Sequence, residues 1–411
     1  MKLIGNAVVG QSGGPTVAIN ATLAGVISGA KKAQSEGIIP HLFGMYNGIE
    51  GFLRDDLCDL FELVGDEESI QDLMHTPAAV LGSCRKKMPK DQNDPLYDQV
   101  FALFEKHNIR YFFYIGGNDS MDTVAKLREA AEQRHYDIRL IGVPKTIDND
   151  LEGTDHTPGY GSAAKYIAIT IEEIIRDCAV YTVPAVTIVE VMGRDAGWLT
   201  AASALPKLVF GEGPDLVYLP ERVFDMDRFI CDVKLALSKH PNVVVAVSEG
   251  VRNADGEYVG SLGQSGAVDA FGHKYLAGTA KVLENTIKEV IGCKVRSVEL
   301  SLPQRCAAHI ASTTDLAESV LVGSKAVENA LDGASGCVMT IVRDEGETYG
   351  ISVSHADVAL VANQIRTVPD AFITPEGNNI TDEGLRYILP LIAGEAQPRY
   401  VNGLPYQFKL R

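Results

Sequence analysis

The sequence has 411 residues, of which 46% are hydrophobic and 22% are charged, and its formal net charge is −17 at pH 7. This length and composition predict a folded protein of two or three lobes rather than a disordered chain. The negative charge argues against a nucleic-acid-binding or membrane-surface protein. The 7 cysteines are dispersed and form no C-x-x-C pair, which predicts reduced thiols in a cytoplasmic protein. No apolar run approaches the ~18 residues needed to span a bilayer.

Short apolar runs alternate with helical patterns along most of the chain. Pairs of strand and helix are predicted at 6–10 and 17–33, 111–115 and 121–133, 140–143 and 161–180, and 186–191 and 198–205, with a further strand at 243–247. The strands are continuously apolar, which is typical of parallel strands covered on both faces. The alternation predicts an α/β, doubly wound architecture.

The first loop of interest, 10–15, reads GQSGGP between a predicted strand and the helix expected to begin near Thr16. Its paired glycines, Gly13 and Gly14, would let backbone N–H groups approach an anion, and the N-terminus of the helix would add positive dipole. Taken alone, the loop is explained equally well as a plain tight turn.

The second loop, 116–120, reads GGNDS after the strand at 111–115. Two glycines again allow close approach, and the carboxylate of Asp119 beside phosphate-binding N–H groups suits a site in which Mg²⁺ lies between them. Alternatively, Asp119 or Ser120 caps the following helix. We expect Ser120 to cap, although capping does not account for the glycine pair.

The third loop, 144–150, reads PKTIDND after the strand at 140–143. Asp148 and Asp150 lie two residues apart, and Lys145 precedes the first of them by three. An aspartate can act as base for a substrate hydroxyl, and a lysine can neutralise a phosphoryl group in transfer. A solvated acidic turn is the simpler alternative. Because ligands of open α/β sheets bind where strands end, the three loops together predict a magnesium-dependent phosphate site.

At these residues the sequence resembles the phosphofructokinase family, from about residue 3 to about residue 336. The motifs that carry the resemblance are 12–14 (SGG), 82–85 (GSCR), 116–120 (GGNDS), 146–150 (TIDND), 189–194 (VEVMGR), 248–250 (SEG), Arg296 and 303–305 (PQR). The resemblance implies two Rossmann-like lobes with the active site in the cleft between them, Mg²⁺ as cofactor, and fructose 6-phosphate as the acceptor. It also implies a homodimer or homotetramer, since one arginine of the family can reach in from a neighbouring subunit.

The family pattern assigns roles by position. It makes Asp148 the base for the sugar 1-hydroxyl, with Arg194, Lys145 and Thr146 as its catalytic partners. The implied donor-binding residues are Gly13, Gly14, Arg85, Gly117, Asp119, Ser120 and Lys145. The implied sugar-phosphate contacts are Thr146, Asp148, Asp150, Met192, Gly193, Arg194, Glu249, Arg296 and Arg305. The implied metal ligands are Asn118, Asp119 and Asp150.

Two positions indicate the phosphoryl donor. ATP-dependent members commonly carry glycine where this chain has Asp119 and Lys145, and this pair resembles the pyrophosphate-dependent branch. A carboxylate ~4 Å from a nucleotide phosphate would cost about 4 kcal/mol at an effective dielectric near 20. The lysine can bind pyrophosphate directly. We therefore predict a reversible transfer from pyrophosphate to fructose 6-phosphate in glycolysis, giving fructose 1,6-bisphosphate and phosphate.

The chain departs from the family pattern at three positions, which leaves alternatives open. Asn118 replaces a common aspartate, Ala185 stands where many ATP enzymes place a second subunit's arginine, and Leu302 replaces a commonly polar residue near the sugar. The alternatives are an ATP-dependent phosphofructokinase and a pyrophosphate-dependent kinase of sedoheptulose 7-phosphate. A catalytically inactive regulatory subunit is a third, against which the retained Asp148, Asp150 and Arg194 argue.

For domain organisation we expect a donor lobe of residues 1–161 plus about 304–350. The sugar-phosphate lobe is expected at 162–303 plus about 351–411, with the chain crossing back near Gln304. The C-terminal stretch after Gly350 has no clear pattern. It is expected to cover the second lobe or an interface.

Overall fold

The computed structural model describes residues 2–263, 278–346 and 348–411. The strands are β1 (Asn6–Gln11), β2 (Leu42–Met45), β3 (Leu57–Asp59), β4 (Ile109–Gly116), β5 (Arg139–Pro144), β6 (Ala185–Val191), β7 (Leu216–Tyr218), β8 (Asn242–Ser248), β9 (Lys294–Glu299), β10 (Cys337–Arg343), β11 (Ile351–Asp357), β12 (Tyr400–Val401) and β13 (Leu404–Pro405). All five strands predicted from the sequence are confirmed, and each is one to three residues longer than predicted.

The helices follow the strands in the order that a doubly wound fold requires. They are α1 (Ile19–Ser35), α2 (Gly48–Leu53), α3 (Leu60–Leu63), α4 (Glu67–Met74), α5 (Pro95–Lys106), α6 (Asn118–Gln133), α7 (Tyr160–Ala179), α8 (Trp198–Ala202), α9 (Leu205–Phe210), α10 (Met226–Lys239), α11 (Thr279–Val290), α12 (Thr313–Leu331), α13 (Val358–Val361) and α14 (Asp382–Ile388). None of the helices in the described part of the chain combines the length and apolar composition that crossing a bilayer requires.

Two sheets organise the molecule. The larger has the order β11-β10-β5-β4-β1-β2-β3, with parallel pairing except for its two edge strands, β11 and β3. The smaller has the order β7-β8-β6-β9 and is parallel throughout. The predicted α/β architecture with two doubly wound lobes is therefore confirmed.

Both faces of the large sheet are covered, which explains its continuously apolar strands. Val8 and Phe112 pack in one buried cluster, whereas their neighbours Val9 and Phe113 pack in another on the opposite face. Residues next to each other on a strand point to opposite faces, so a strand buried on both sides has no polar alternation. The small sheet is likewise enclosed by two clusters.

The chain crosses between the lobes more often than the sequence suggests. β11, expected in the second lobe, pairs antiparallel with β10 at the edge of the large sheet. α14 packs in a cluster of the small sheet, but Phe408 and Leu410 pack against the core of the large one. The expected assignment of 351–411 to a single lobe is therefore wrong at 351–357 and at the C-terminus. An edge strand with one exposed face lacks the continuous apolar run that marked the other strands.

Candidate active site

The loops that follow β1, β4 and β5 meet at one edge of the large sheet. Lys145 Nζ donates a hydrogen bond to Gly14 O at 2.5 Å, and Lys145 N donates to Gly116 O at 3.0 Å. A Cβ atom added to Gly13 would lie 3.6 Å from Lys145 Nζ, and one on Gly14 would lie 3.3 Å from Arg305 Nη1. The glycine pair therefore leaves open space beside two cationic side chains, as an anion site requires.

Helix starts differ between the first two loops. α1 begins at Ile19 rather than near Thr16, so four residues separate its first turn from Gly14. The N–H of Gly13 also donates to Cys84 O at 3.2 Å and is already hydrogen bonded. The positive groups of this loop are therefore mainly side chains of other loops. By contrast, α6 begins directly after Gly117, which places a helix N-terminus at the second loop.

We expected Ser120 to cap α6, but in the structure it does not. The N-cap is Gly117, which makes no side-chain cap hydrogen bond. Ser120 is 2% exposed, and its Oγ lies only 1.9 Å from where a Cβ on Gly116 would stand. The side chain of Ser120 thus packs on the glycine backbone, and a side chain at Gly116 would displace it.

The third loop carries one buried cation, Lys145, and two half-buried carboxylates, Asp148 and Asp150. Burial lowers the pKa of Lys145 to about 8, a shift that the charge of Asp148 opposes. Burial raises the pKa of the Asp148 carboxyl, against the opposing charges of Lys145 and Arg194. Burial and the neighbouring Asp148 raise the pKa of Asp150 to about 7. Thr146 Oγ1 accepts a hydrogen bond from Asp148 N at 3.1 Å, which fixes the backbone at the first aspartate.

The second lobe contributes the loops after β6 and β8. Gly193 N donates to Glu249 Oε1 at 3.3 Å, and Met192 N donates to Gln304 Oε1 at 3.1 Å. Burial and the charge of Asp148 raise the pKa of Glu249 to about 7. Arg194 Nε is buried and has no hydrogen-bond partner among the described residues. The charges of the two lobes therefore act on one another across a shared cleft, with Arg194 able to receive an anion.

Arg305 and Arg85 complete the positive side of the cleft. Burial and the charge of Arg85 lower the pKa of Arg305. The charge of Arg85 also contributes to the lowered pKa of Lys145. The loop of Arg85 is tied to the first loop by a hydrogen bond from Ser83 Oγ to Gly13 O at 2.6 Å. Three cationic side chains from three loops therefore lie within electrostatic reach of one another.

Two of the residues singled out in the sequence lie away from this group. Arg296 pairs in register with Thr187, five residues before Met192 and hence roughly 16 Å along the strand direction. Its Nη1 lies 3.8 Å from Asp177 Oδ2 at the surface. The side chain of Asp119 is 43% exposed and forms an ion pair of 3.2 Å with Lys87. A single chain thus does not bring Arg296 to the cleft, and it leaves Asp119 at the rim.

A small set of oxygen atoms could hold a divalent cation. Asn118 Nδ2 donates to Gln364 O at 3.0 Å, which leaves Asn118 Oδ1 buried with no hydrogen-bond partner among the described residues. The nearby Asp150 is half-buried. The described part of the chain holds no group of three His, Cys, Asp or Glu side chains suited to a metal. Mg²⁺ commonly takes one or two protein oxygens and completes its shell with water and substrate phosphate, so these residues fit it.

Sequence reasoning missed two residues that shape the site. Gln304 is buried, and its Oε1 accepts a hydrogen bond from Met192 N, although in the sequence Gln304 was noted only as part of a motif. Arg366 donates its backbone N–H to Asp150 O at 2.8 Å. It lies in the stretch after Gly350, where no apolar period or glycine motif drew attention to it.

Comparison with known proteins agrees with this geometry. The phosphofructokinase family profile matches residues 6–330. A pyrophosphate--fructose 6-phosphate 1-phosphotransferase of Halomonas elongata is 42% identical over 98% of this chain and 96% of its own length. The enzyme of the same name from Methylococcus capsulatus is 41% identical over 97% of this chain and 94% of its own.

A solved structure extends the likeness to three dimensions. The pyrophosphate-dependent phosphofructokinase of Nitrosospira multiformis superposes with a TM-score of 0.89 at 38% identity, covering 99% of this chain and 96% of that one. The family profile covers well over half of the sequence, and the relatives are matched nearly end to end. The chain therefore belongs to the phosphofructokinase family.

Proposed function

We propose that the protein transfers a phosphoryl group from pyrophosphate to the 1-hydroxyl of fructose 6-phosphate, giving fructose 1,6-bisphosphate and phosphate. The observation that carries this proposal is the position of Lys145. Its ammonium group donates to Gly14 O beside the open backbone of Gly13 and Gly14, and it lies within electrostatic reach of the carboxylate of Asp148. The same reaction gives the end-to-end relatives their name.

Asp148 acts as the general base. As the sugar oxygen attacks phosphorus, the new O–P bond forms, the bond to the leaving phosphate breaks, and the hydroxyl proton passes to Asp148. Burial moves the pKa of this carboxyl upward, towards the working pH, which strengthens it as a base. The hydrogen bond from its N–H to Thr146 Oγ1 fixes the backbone that carries the carboxylate.

The donor side consists of backbone and cations. Gly13, Gly14 and Gly117 let the pyrophosphate approach closely, while Lys145 neutralises the leaving phosphate and Arg85 stabilises the charge in transfer. Because phosphoryl transfer depends mainly on positioning and charge stabilisation, these groups account for donor binding without covalent chemistry. Asp119 disfavours a longer, more negative nucleotide at the rim, while the buried Ser120 acts through the Gly116 backbone.

The sugar side lies on the second lobe. Met192, Gly193, Glu249 and Arg305 bind fructose 6-phosphate, and Arg194 bridges the sugar and the transferring group. Arg296 lies on the outer face of β9, so it serves the cleft of a second copy of the chain rather than its own. We therefore propose a homodimer or homotetramer that functions in the cytoplasm.

Mg²⁺ fits the oxygens of Asn118 and Asp150. When bound there, it would supply positive charge that neutralises the phosphate groups of the donor. Asp119, which the sequence had also suggested as a ligand, serves in this proposal through its charge at the rim because it is paired with Lys87. Removal of the metal with a chelator should abolish turnover, and addition of Mg²⁺ should restore it.

The acceptor is tested with a panel of sugar phosphates. Purified protein, Mg²⁺ and pyrophosphate are combined with fructose 6-phosphate or sedoheptulose 7-phosphate, and the products are followed by phosphorus NMR. Higher kcat/KM for fructose 6-phosphate supports the proposal. Higher kcat/KM for sedoheptulose 7-phosphate would contradict the acceptor and would point to the exposed Leu302 as the cause of a wider sugar pocket.

A further inference from the structure

A segment without regular secondary structure, residues 364–368, contacts loops of both lobes; we call it the strap. On the large-sheet side, Asn118 Nδ2 donates to Gln364 O at 3.0 Å, and Arg366 N donates to Asp150 O at 2.8 Å. The strap therefore contacts the second and third phosphate loops directly. It reaches these loops through backbone atoms, so the contacts do not depend on the identity of most of its side chains.

On the other side, the strap is fixed to the second lobe. Val368 N donates to Glu221 Oε1 at 2.9 Å, and Gly197 N donates to the same oxygen at 2.8 Å. Gly197 precedes α8 and follows the Arg194 loop by three residues. One buried carboxylate thus joins the end of the strap to the segment that carries Arg194.

Arg366 contacts both the third loop and the second lobe. Its Nη1 donates to Asn149 O at 3.4 Å and its Nη2 donates to the Tyr387 hydroxyl at 3.1 Å. The guanidinium lies 4.2 Å from the centre of the Trp198 ring, and Trp198 Nε1 donates to Arg366 O at 3.0 Å. A planar cation stacked on an aromatic ring and hydrogen bonded at its edges holds a fixed orientation.

Asn149 has an unusual backbone conformation that this arrangement supports. Its φ is +55°, in the left-handed region that costs energy for a residue other than glycine. Its Oδ1 accepts from Thr157 N at 3.0 Å, and its backbone carbonyl accepts from Arg366. Because Asn149 stands between Asp148 and Asp150, its conformation sets the directions in which the two carboxylates point.

We propose that Arg366 is a positioning residue that holds the Asp148–Asp150 loop in its working conformation and joins it, through Trp198, to the lobe that carries Arg194. This inference rests on the proposed function in assigning Asp148 as the base. The hydrogen bonds that Arg366 donates go to the backbone oxygens of Asn149 and Asp150 and to the Tyr387 hydroxyl. In this proposal it acts by fixing the left-handed peptide beside the base.

The test compares Arg366→Ala, Arg366→Met and Arg366→Lys with Arg222→Ala. Arg222 is the matched control, because it forms an ion pair of 2.8 Å with Asp370, just beyond the strap, without contacting the loop. We expect Arg366→Ala and Arg366→Met to lower kcat with pyrophosphate by about 10- to 100-fold, as for a base displaced by a fraction of an ångström. KM should change by less than about 3-fold. Arg366→Lys should recover little, because an ammonium group cannot stack and fork in the same way.

A double-mutant cycle separates positioning from general stability. If Arg366 acts through the base, Arg366→Met should cause no further loss of kcat in an Asp148→Ala background. A loss of kcat that is fully additive with Asp148→Ala, or no larger than that of Arg222→Ala, would overturn the inference while leaving the proposed function intact.

Two readouts do not depend on activity. Trp198 is the single tryptophan of the chain, so its fluorescence should change in Arg366→Met and stay unchanged in Arg222→Ala. Hydrogen exchange of the amides at 146–151 should be faster in Arg366→Met than in the wild type. If the wild type showed no turnover with pyrophosphate, the proposed function would fail, and the exchange measurement would still decide this inference: equal exchange in both proteins would overturn it.

Discussion

The third phosphate loop and the start of α6 differ in how firmly they are held. Both follow neighbouring strands of the large sheet, but Asp148 is half-buried, with its N–H bonded to Thr146 and its loop contacted by Arg366. The side chain of Asp119, by contrast, is 43% exposed and forms an ion pair with the exposed Lys87. The groups assigned to the chemistry are therefore held by many contacts, whereas the group assigned to donor choice is weakly held. We expect changes at Asp148 and its loop to have large effects and changes at Asp119 to have modest ones.

The largest effect is expected from Asp148→Ala. Loss of the base should lower kcat by at least ~100-fold and leave the KM for fructose 6-phosphate within a few-fold of the wild type. The measurement is steady-state kinetics with pyrophosphate. Asp98→Asn is the control, since Asp98 is an exposed carboxylate of α5 that pairs with Arg134. Equal rates for Asp148→Ala and the wild type would remove Asp148 as the base.

Lys145 should give the site a pH dependence. The pKa of its ammonium group is about 8, so the free enzyme loses this positive charge as pH rises through that value. We therefore expect kcat/KM for pyrophosphate to fall above about pH 8, because the neutral amine no longer attracts the donor. In Lys145→Arg the alkaline limb should move upward or disappear, since arginine stays protonated. An unchanged alkaline limb in Lys145→Arg would assign it to another group.

Asp119→Gly should have a smaller effect than its sequence position suggests. An unscreened charge that costs about 4 kcal/mol would lower affinity for ATP roughly a thousandfold. Exposure and the ion pair with Lys87 screen the carboxylate, so we expect the discrimination to fall to roughly tenfold. We expect kcat/KM for ATP to rise by about that factor, with a larger gain when Lys145→Gly is added. Lys87→Met should change ATP use in the opposite direction, because it leaves Asp119 unneutralised. No gain in the double variant would mean that the donor is selected elsewhere.

The smallest effect concerns stability at the far end of the buried loop. His156 lies between Asp155 Oδ1 at 2.7 Å and Glu318 Oε2 at 2.6 Å. Burial lowers its pKa, but the two carboxylates outweigh burial and raise the pKa above its usual value. The stabilisation is thus complete below about pH 6.5 and is lost as pH rises through the folded-state pKa. In urea unfolding, the free energy of unfolding should fall more from pH 6 to pH 9 for the wild type than for His156→Gln. Equal losses would contradict the assigned protonation.

The strands and the phosphate loops could be predicted because each carries a local signal. Continuous apolar runs mark strands buried on both faces, and the glycine pairs at Gly13 and Gly117 mark the loops between strand and helix. The division of the chain between the donor and acceptor lobes is harder to predict from the sequence, since the order of strands in the two sheets depends on long-range pairing. The edge strand β11 illustrates this: its residues are half-buried or exposed, so it has no continuous apolar run from which the strand could be predicted.

The contacts that hold the site could not be predicted for the same reason. Arg366 is separated from Asp150 by more than two hundred residues, and neither its neighbours nor its spacing indicates a partner. The pairing of Asp119 with Lys87 likewise depends on how two loops approach each other. Sequence patterns identified which charged and polar groups form the site. The burial and pairing of these groups, which set their pKa values and how firmly they are held, depend on the three-dimensional fold.

The most direct test of the central claim is donor competition on the purified protein. Formation of fructose 1,6-bisphosphate from fructose 6-phosphate and Mg²⁺ is measured with pyrophosphate, with ATP, and with both together. We expect turnover with pyrophosphate, little with ATP, and no strong inhibition by ATP when both are present. Turnover with ATP and none with pyrophosphate would contradict the roles proposed for Lys145 and Asp119, although Asp148 would stand as the base.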